Sequence, residues 1–116
     1  PYISEISEKM CFLLEDDGFE IGAAATFGEG RDSIVGCIHP QSILDAIDAI
    51  ISSATIPLDA IFISCTSLKC ATIIAIAESQ FGIPVISSNS AIAWDMARLA
   101  RLAMPANEKG LLFQQD

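Results

Sequence analysis

The stretch Asp59-Ala60-Ile61-Phe62-Ile63-Ser64-Cys65-Thr66-Ser67 decides how the chain is read. Its apolar run is bounded by Pro57 upstream and by small hydroxyl residues downstream, and it is too short for a helix. It predicts a central strand over 59–64, buried on both faces as in a parallel sheet covered by helices. Cys65-Thr66-Ser67 is then the turn, and a third helix is expected from there to Phe81, ended by Gly82 and Pro84.

Working outward, Ile3, Ile6, Met10, Leu13 and Leu14 recur at helical spacing, with Glu5, Glu8, Lys9 and Glu15 between them. This predicts a first helix over 3–17, stopped by Gly18. Residues 19–25 fit a short buried strand, and Gly28-Glu29-Gly30-Arg31-Asp32 a polar loop. Pro40 and Gln41 open a second helix to Ser53, whose apolar stripe is Ile43, Leu44, Ile47, Ile50 and Ile51, opposite Asp45 and Asp48. Val85-Ile86-Ser87 is the next strand, and Ser88-Asn89 caps a last helix over 90–103. Strands alternating with helices imply right-handed crossovers, hence an α/β fold with a parallel sheet of three to four strands flanked by helices. The expected organisation is one α/β lobe over 1–104 and a tail over 105–116.

A chain of 116 residues supports one real core, burying roughly 65% of its unfolded surface. Hydrophobic residues at 52% and charged residues at 18% exclude a disordered or low-complexity chain. A net charge of −9 repels phosphate, so neither nucleic acid nor an anionic membrane is expected as a partner. No apolar run reaches the ~18 residues of a membrane helix, and residues 1–10 lack a basic leader, so a cytoplasmic protein is expected. Cysteines at 11, 37, 65 and 70 form no CxxC pair and read as reduced thiols, with Cys11, Cys37 and Cys70 packed inside their segments. In the last helix Asp95, Arg98 and Arg101 form one narrow polar strip, and the remainder is apolar nearly all round. Such a helix calls for a partner, either another half of the same protein or another subunit, and a homo-oligomer is expected. An alanine-rich helix that merely looks hydrophobic is the plainer reading.

Cys65 is the residue with chemical promise. Ligands of open α/β sheets bind beyond the carboxyl ends of the strands. A helix starting there would offer unpaired N–H groups and a field that favours a thiolate. Thr66 and Ser67 add hydroxyl and N–H donors for a carboxylate or enolate oxygen. Lys69 is the only charged residue between Asp59 and Glu78, which favours anions locally. A cysteine that only fills a strand end fits the same residues.

Ile63-Ser64-Cys65-Thr66-Ser67-Leu68, followed by Phe81-Gly82-Ile83-Pro84-Val85-Ile86-Ser87-Ser88-Asn89-Ser90-Ala91-Ile92-Ala93-Trp94, resembles the second half of the aspartate/glutamate racemase superfamily. The nearest branch is that of maleate cis-trans isomerases and arylmalonate decarboxylases, which reads Ser-Cys-Thr-Asn-Leu and then Gly-x-Pro-Val-x-Ser-Ser-Asn-Gln-Ala-x-x-Trp. Pro1-Tyr2 resembles the branch's Thr-Pro-Tyr, Ile38-His39-Pro40-Gln41-Ser42-Ile43 its Ile-x-Pro-x-Ser-Ile, and Lys109-Gly110-Leu111-Leu112-Phe113 its closing Gly-x-Leu-Leu/Phe. The resemblance implies two α/β lobes with a site between them and a cysteine from each. This chain corresponds to the C-terminal lobe, and its missing partner is the N-terminal lobe. By motif match Cys65 is the second-lobe acid/base cysteine, Thr66 and Ser67 are the anion-binding turn, and Tyr2 donates to a substrate carboxylate. Ser67 stands where the family has Asn, and Ser90 where it has Gln, which leaves substrate choice open. The implied activity is that of an isomerase of racemase or maleate cis-trans isomerase type, or a decarboxylase, on a small carboxylate or dicarboxylate. It needs no cofactor and no metal, and this lobe alone is expected to be inactive. Ser88 and Asn89 border the cleft in the family as well as capping a helix.

Rival signals are weaker. Gly28-Glu29-Gly30 lacks the third glycine of a dinucleotide loop, since Ser33 stands there, and Glu29 would repel phosphate. His39 has no second histidine to complete a zinc site, and Cys65 with Cys70 is not a metal spacing. A low-molecular-weight phosphatase wants Arg where Ala71 stands, and no Gly-x-Ser-x-Gly elbow exists. Glu15-Asp16-Asp17 sits at a helix end, which fits a solvated charge run better than a receiver-domain pocket. The main alternative to an enzyme lobe is a non-catalytic α/β binding or assembly domain.

Overall fold

A computed structural model describes residues 1–102 and 110–114 of the chain. Two compact units divide it, Pro1–Leu58 and Asp59–Asp116. The expected boundary between residues 104 and 105 lies outside the described residues.

The first unit holds α1 (Ser4–Asp16), a single-turn α2 (Asp32–Val35) and α3 (Pro40–Ser53). Gly18 stands just past the α1 C-cap, Asp17, and stops the helix as expected, with the Phe19 N–H reaching back to Leu14 O at 3.0 Å. Along α3, Ile43, Leu44 and Ile47 are buried while Asp45 and Asp48 are exposed, the stripe its periodicity predicts. His39 is the N-cap of α3: its Nδ1 accepts the Gln41 N–H at 3.2 Å, which gives the only histidine a structural task. The strand expected over 19–25 does not form. Its Gly22 carbonyl accepts from the Thr55 N–H at 3.3 Å, but a ladder needs a run of such bonds. Ile56 and Leu58 side chains instead press on the backbone at Gly22, where an added Cβ would lie 2.7 Å from Leu58 Cδ2. The loop after Arg31 carries α2, which the sequence did not signal. Cys37 beyond it is exposed, its thiol donating to Ser33 O at 3.3 Å, and so is not packed inside as expected.

The second unit is built on β1 (Ile61–Ile63) and β2 (Val85–Ser87), paired in parallel with Ile61 opposite Val85 and Ile63 opposite Ser87. The sheet therefore has two strands among the described residues, where three to four were expected. Parallel neighbours imply a crossover, and α4 (Ile74–Phe81) supplies it. α4, α5 (Ser88–Leu99) and a 3-10 turn over Leu111–Gln114 all pack on β2. Ile61, Leu68, Ile73, Ile74, Ala77, Val85 and Ala97 form the buried apolar set. Phe62 is half exposed, at 50%, so β1 is not covered on both faces as expected. Phe62 alternates in side with its buried neighbour Ile61, as successive strand residues do.

Three helix limits differ from expectation. α4 begins at Ile74 and not just after Ser67. Leu68 and Cys70 are both buried, at 2% and 1%, with Lys69 between them exposed. A helix turns residues two apart toward different sides, so burying both requires the turns seen over 66–73. Cys70 accordingly lies in this turn segment and not inside the helix. α4 does end as expected at Gly82, whose φ of 68° is the left-handed value a helix stop favours. α5 leaves the helix at Ala100, where the expectation ran to Ala103, which is outside the described residues. Arg101 takes φ 55° and the Leu102 N–H closes on Ala97 O at 2.9 Å, a glycine-type stop made by a residue that gives no sign of it. The α5 N-cap is Ser87, not Ser88-Asn89.

Candidate active site

The site is built where β1 and β2 end side by side. β2 runs into α5 without a loop, and Ser87 and Ser90 cap that junction reciprocally. Ser90 N–H donates to Ser87 Oγ at 3.1 Å, and Ser87 N–H donates to Ser90 Oγ at 2.8 Å. This is a capping box with Ser90 in the position where Glu or Gln is usual, so the departure at residue 90 preserves the cap.

Because Ser87 and Ser90 complete the cap, the two residues between them have side chains to spare. Ser88 Oγ accepts the Cys65 N–H at 3.1 Å, and Asn89 Nδ2 donates to Thr66 O at 2.9 Å. The start of α5 thus grips the turn after β1. Cys65 itself has φ 125°, a positive value that a residue with a side chain rarely adopts. Cys65 is 7% exposed, Ser67 half-buried and Thr66 exposed. Among the described residues nothing accepts from the N–H of Thr66 or of Ser67. Two consecutive N–H groups without a protein acceptor are donors of the kind that can receive a carboxylate.

The positive helix end expected at Cys65 is not that of α4, which begins too late. The helix whose first residues touch this turn is α5. Ser88 and Asn89, expected to cap the helix and by resemblance to border the cleft, do not form the cap but hold Cys65 and Thr66. The Ser87-x-x-Ser90 spacing is the local signal that assigns the cap to the outer pair.

Cys70 lies close enough to Cys65 to feel its charge. Burial first, and an ionised Cys65 second, push the Cys70 thiol up to about 11. All four cysteines are free thiols. Among the described residues no cluster of three or more His, Cys, Asp or Glu could hold a metal ion, and no helix is long and apolar enough to cross a membrane.

Tyr2 belongs to the first unit, outside this local assembly. It is half-buried, and its carbonyl accepts from the Thr26 hydroxyl. Glu29 N–H donates to Pro1 O at 2.6 Å, so the loop after Thr26 fixes the opening dipeptide.

Residues 1–113 match the family described as arylmalonate decarboxylase, Amdase. The chain is 31% identical to a maleate isomerase of Nocardia farcinica (strain IFM 10152), over 100% of this chain and 45% of that protein. Among solved structures it superposes on the Nocardia farcinica maleate cis-trans isomerase, in a cysteine-to-serine mutant with a covalently bound succinylcysteine intermediate. There the TM-score is 0.88 at 30% identity, covering 100% of this chain and 46% of that one. The maleate isomerase Iso from Pseudomonas putida S16 gives 0.88 at 25% identity over 97% and 45%, and an unliganded arylmalonate decarboxylase 0.85 at 25% over 99% and 50%. The chain therefore spans about half the length of the relatives it matches, and its α/β architecture is that of one lobe of these enzymes.

Proposed function

Because the chain belongs to the arylmalonate decarboxylase family, we propose that it is the second lobe of a cofactor-independent enzyme of racemase type that acts on a small carboxylate or dicarboxylate. In this reading residues 1–104 are the lobe and 105–116 its tail, in a cytoplasmic protein whose N-terminal lobe closes the site. The observation that carries the proposal is the braced turn after β1, where Ser88 and Asn89 hold the backbone of buried Cys65 and of Thr66 while the N–H groups of Thr66 and Ser67 have no protein acceptor among the described residues.

A proton on carbon beside a carboxylate is too weakly acidic to leave unaided. When the Cys65 thiolate takes it, the electron pair of the C–H bond moves into the carboxylate as an enediolate. Donors from Thr66 and Ser67 stabilise that charge, each contributing on the order of 3–4 kcal/mol, and it is the family resemblance alone that gives the Tyr2 hydroxyl to a substrate carboxylate. A second acid from the missing lobe returns a proton on the opposite face, which racemises the centre. In the isomerase variant a thiolate from one of the two lobes adds to a double bond, the former π pair is held as the enediolate, rotation follows, and elimination regenerates that thiolate. In the decarboxylase variant carbon dioxide leaves with its bond pair retained by the substrate, and the Cys65 thiol protonates that carbon. Isomerisation is favoured, because the relative at 31% identity is a maleate isomerase.

The test uses the complete two-lobed protein and a panel of maleate, an arylmalonate and aspartate. Cys65→Ser is expected to lower turnover of the accepted substrate about a thousandfold or more. Full activity in that variant overturns the proposal, as would turnover by the 116-residue chain alone.

A non-catalytic binding or assembly domain is the second reading. It is favoured by the exposed Ile92, Met96 and Leu99, which line one side of α5. It gains if Cys65→Ser is silent while the protein still assembles. A monodisperse 12.3 kDa species in solution counts against a partner on α5 in either reading.

A further inference from the structure

The geometry points to Ser88 and Asn89 as positioning residues that aim the Cys65 turn, with Asn89 setting the direction of the Ser67 N–H. The inference rests on the proposed role of that turn. Thr66 C=O and Ser67 N–H belong to one planar trans peptide, so they point in opposite directions. Asn89 Nδ2 holds the carbonyl toward α5 at 2.9 Å, and the Ser67 N–H is thereby turned away from α5. Ser88 Oγ holds the peptide on the other side of the turn through the Cys65 N–H at 3.1 Å. Between these two held peptides lie Cys65 and Thr66, and Cys65 takes φ 125°, a conformation that persists only where neighbours over-determine it. Neither side chain is needed for the α5 cap, which Ser87 and Ser90 complete. Ser88 is half-buried and Asn89 exposed, so truncating either removes a hydrogen bond and little packing.

Two alkylating probes that differ chiefly in charge read this out. Iodoacetate carries a carboxylate and iodoacetamide does not, so their rate ratio at Cys65 reports how well the turn receives an anion. Rates are followed residue by residue by mass spectrometry, with exposed Cys37 as internal reference. Asn89→Ala is expected to lower the iodoacetate-to-iodoacetamide ratio at Cys65 by about three- to tenfold, the range one ordinary hydrogen bond supports. Asn89→Asp keeps the shape but loses the donor, and is expected to lower the ratio further. Ser88→Ala removes the acceptor of the Cys65 N–H and is expected to speed exchange of that amide, and Ser88→Thr, which keeps the acceptor oxygen, restores its protection. A role in folding alone would leave the ratio unchanged.

Unaltered ratios in both Asn89 variants overturn the inference. Should the variants not fold, amide exchange in the unsubstituted protein decides. The Cys65 N–H must exchange at least about tenfold more slowly than the Ser67 N–H, and equal rates overturn the inference. A Cys65→Ser enzyme with full turnover sinks the catalytic reading and leaves these ratios to be judged separately.

Discussion

The Glu78 carboxylate accepts the N–H of Val85 at 3.0 Å, tying the end of α4 to the first residue of β2. Its other oxygen accepts the Leu111 N–H at 2.9 Å, so one buried side chain joins helix, strand and C-terminal turn. Removing it orphans two backbone donors, each costing about 1–3 kcal/mol if left dry. Glu78→Ala is therefore expected to lower stability by about 2–5 kcal/mol, and Glu78→Gln, which keeps one acceptor oxygen, by less. Urea unfolding of the three proteins checks the order. Equal midpoints would mean that water replaces the carboxylate.

Gly110 closes over the same carboxylate with φ 97°. An added Cβ would lie 2.7 Å from Ile74 Cγ2 and 3.1 Å from Glu78 Oε2. Gly82 has a similar φ of 68° but nothing within 4 Å of that position. Gly82→Ala should thus cost only the backbone term, about 1 kcal/mol, whereas Gly110→Ala adds overpacking of about 1–3 kcal/mol. Thermal melts of the two variants separate the contributions, and a milder loss at Gly110 would contradict the packing described.

The Cys70 thiol, raised from 9.0 to about 11, gives stability a dependence on alkaline pH. The folded state keeps a proton that the unfolded chain releases, so the contribution is fully present below pH 9 and is lost as pH climbs through 11. The loss should reach on the order of 2 kcal/mol. Cys70→Ala, although less stable at neutral pH, should show a correspondingly flatter fall between pH 9 and 11 in chemical denaturation. An identical slope in both proteins would show that Cys70 does not contribute.

Much of this arrangement was legible in the residues. The α3 stripe, the β2 strand, the parallel crossover and the Gly18 and Gly82 stops all follow from periodicity and turn chemistry, which act locally. What failed was decided at longer range. Residues 19–25 have strand-like composition, but no ladder forms, and Gly22 meets the Ile56 and Leu58 side chains. The segment after Ser67 has helical residues, yet it forms turns with Leu68 and Cys70 both buried and Lys69 exposed between them. Arg101 ends α5 in a conformation usually left to glycine. At the site, the position of Cys65 past β1 was readable, but three serines in a row of four concealed which one caps α5 and which one holds the cysteine.

Around Tyr2 the decisive pair is Glu29 and Arg31. Arg31 Nε and one terminal nitrogen reach the carboxylate at 2.8 and 2.7 Å, and the Arg31 N–H adds a third bond at 2.9 Å. The guanidinium and these bonds hold Glu29 down to about 2. A depressed carboxylate stabilises the folded state above its unfolded value, and that contribution is lost as pH falls toward 2. Arg31→Ala is expected to return Glu29 to the ordinary range near 4, read from its carboxyl carbon in an NMR titration. The same loop donates the Glu29 N–H to Pro1 O and the Thr26 hydroxyl to Tyr2 O. Arg31→Ala should therefore also speed exchange of the Glu29 amide. A normal Glu29 titration with an unchanged amide would separate the ion pair from the anchoring of Tyr2, and Thr26→Val would then be the substitution expected to loosen that anchor.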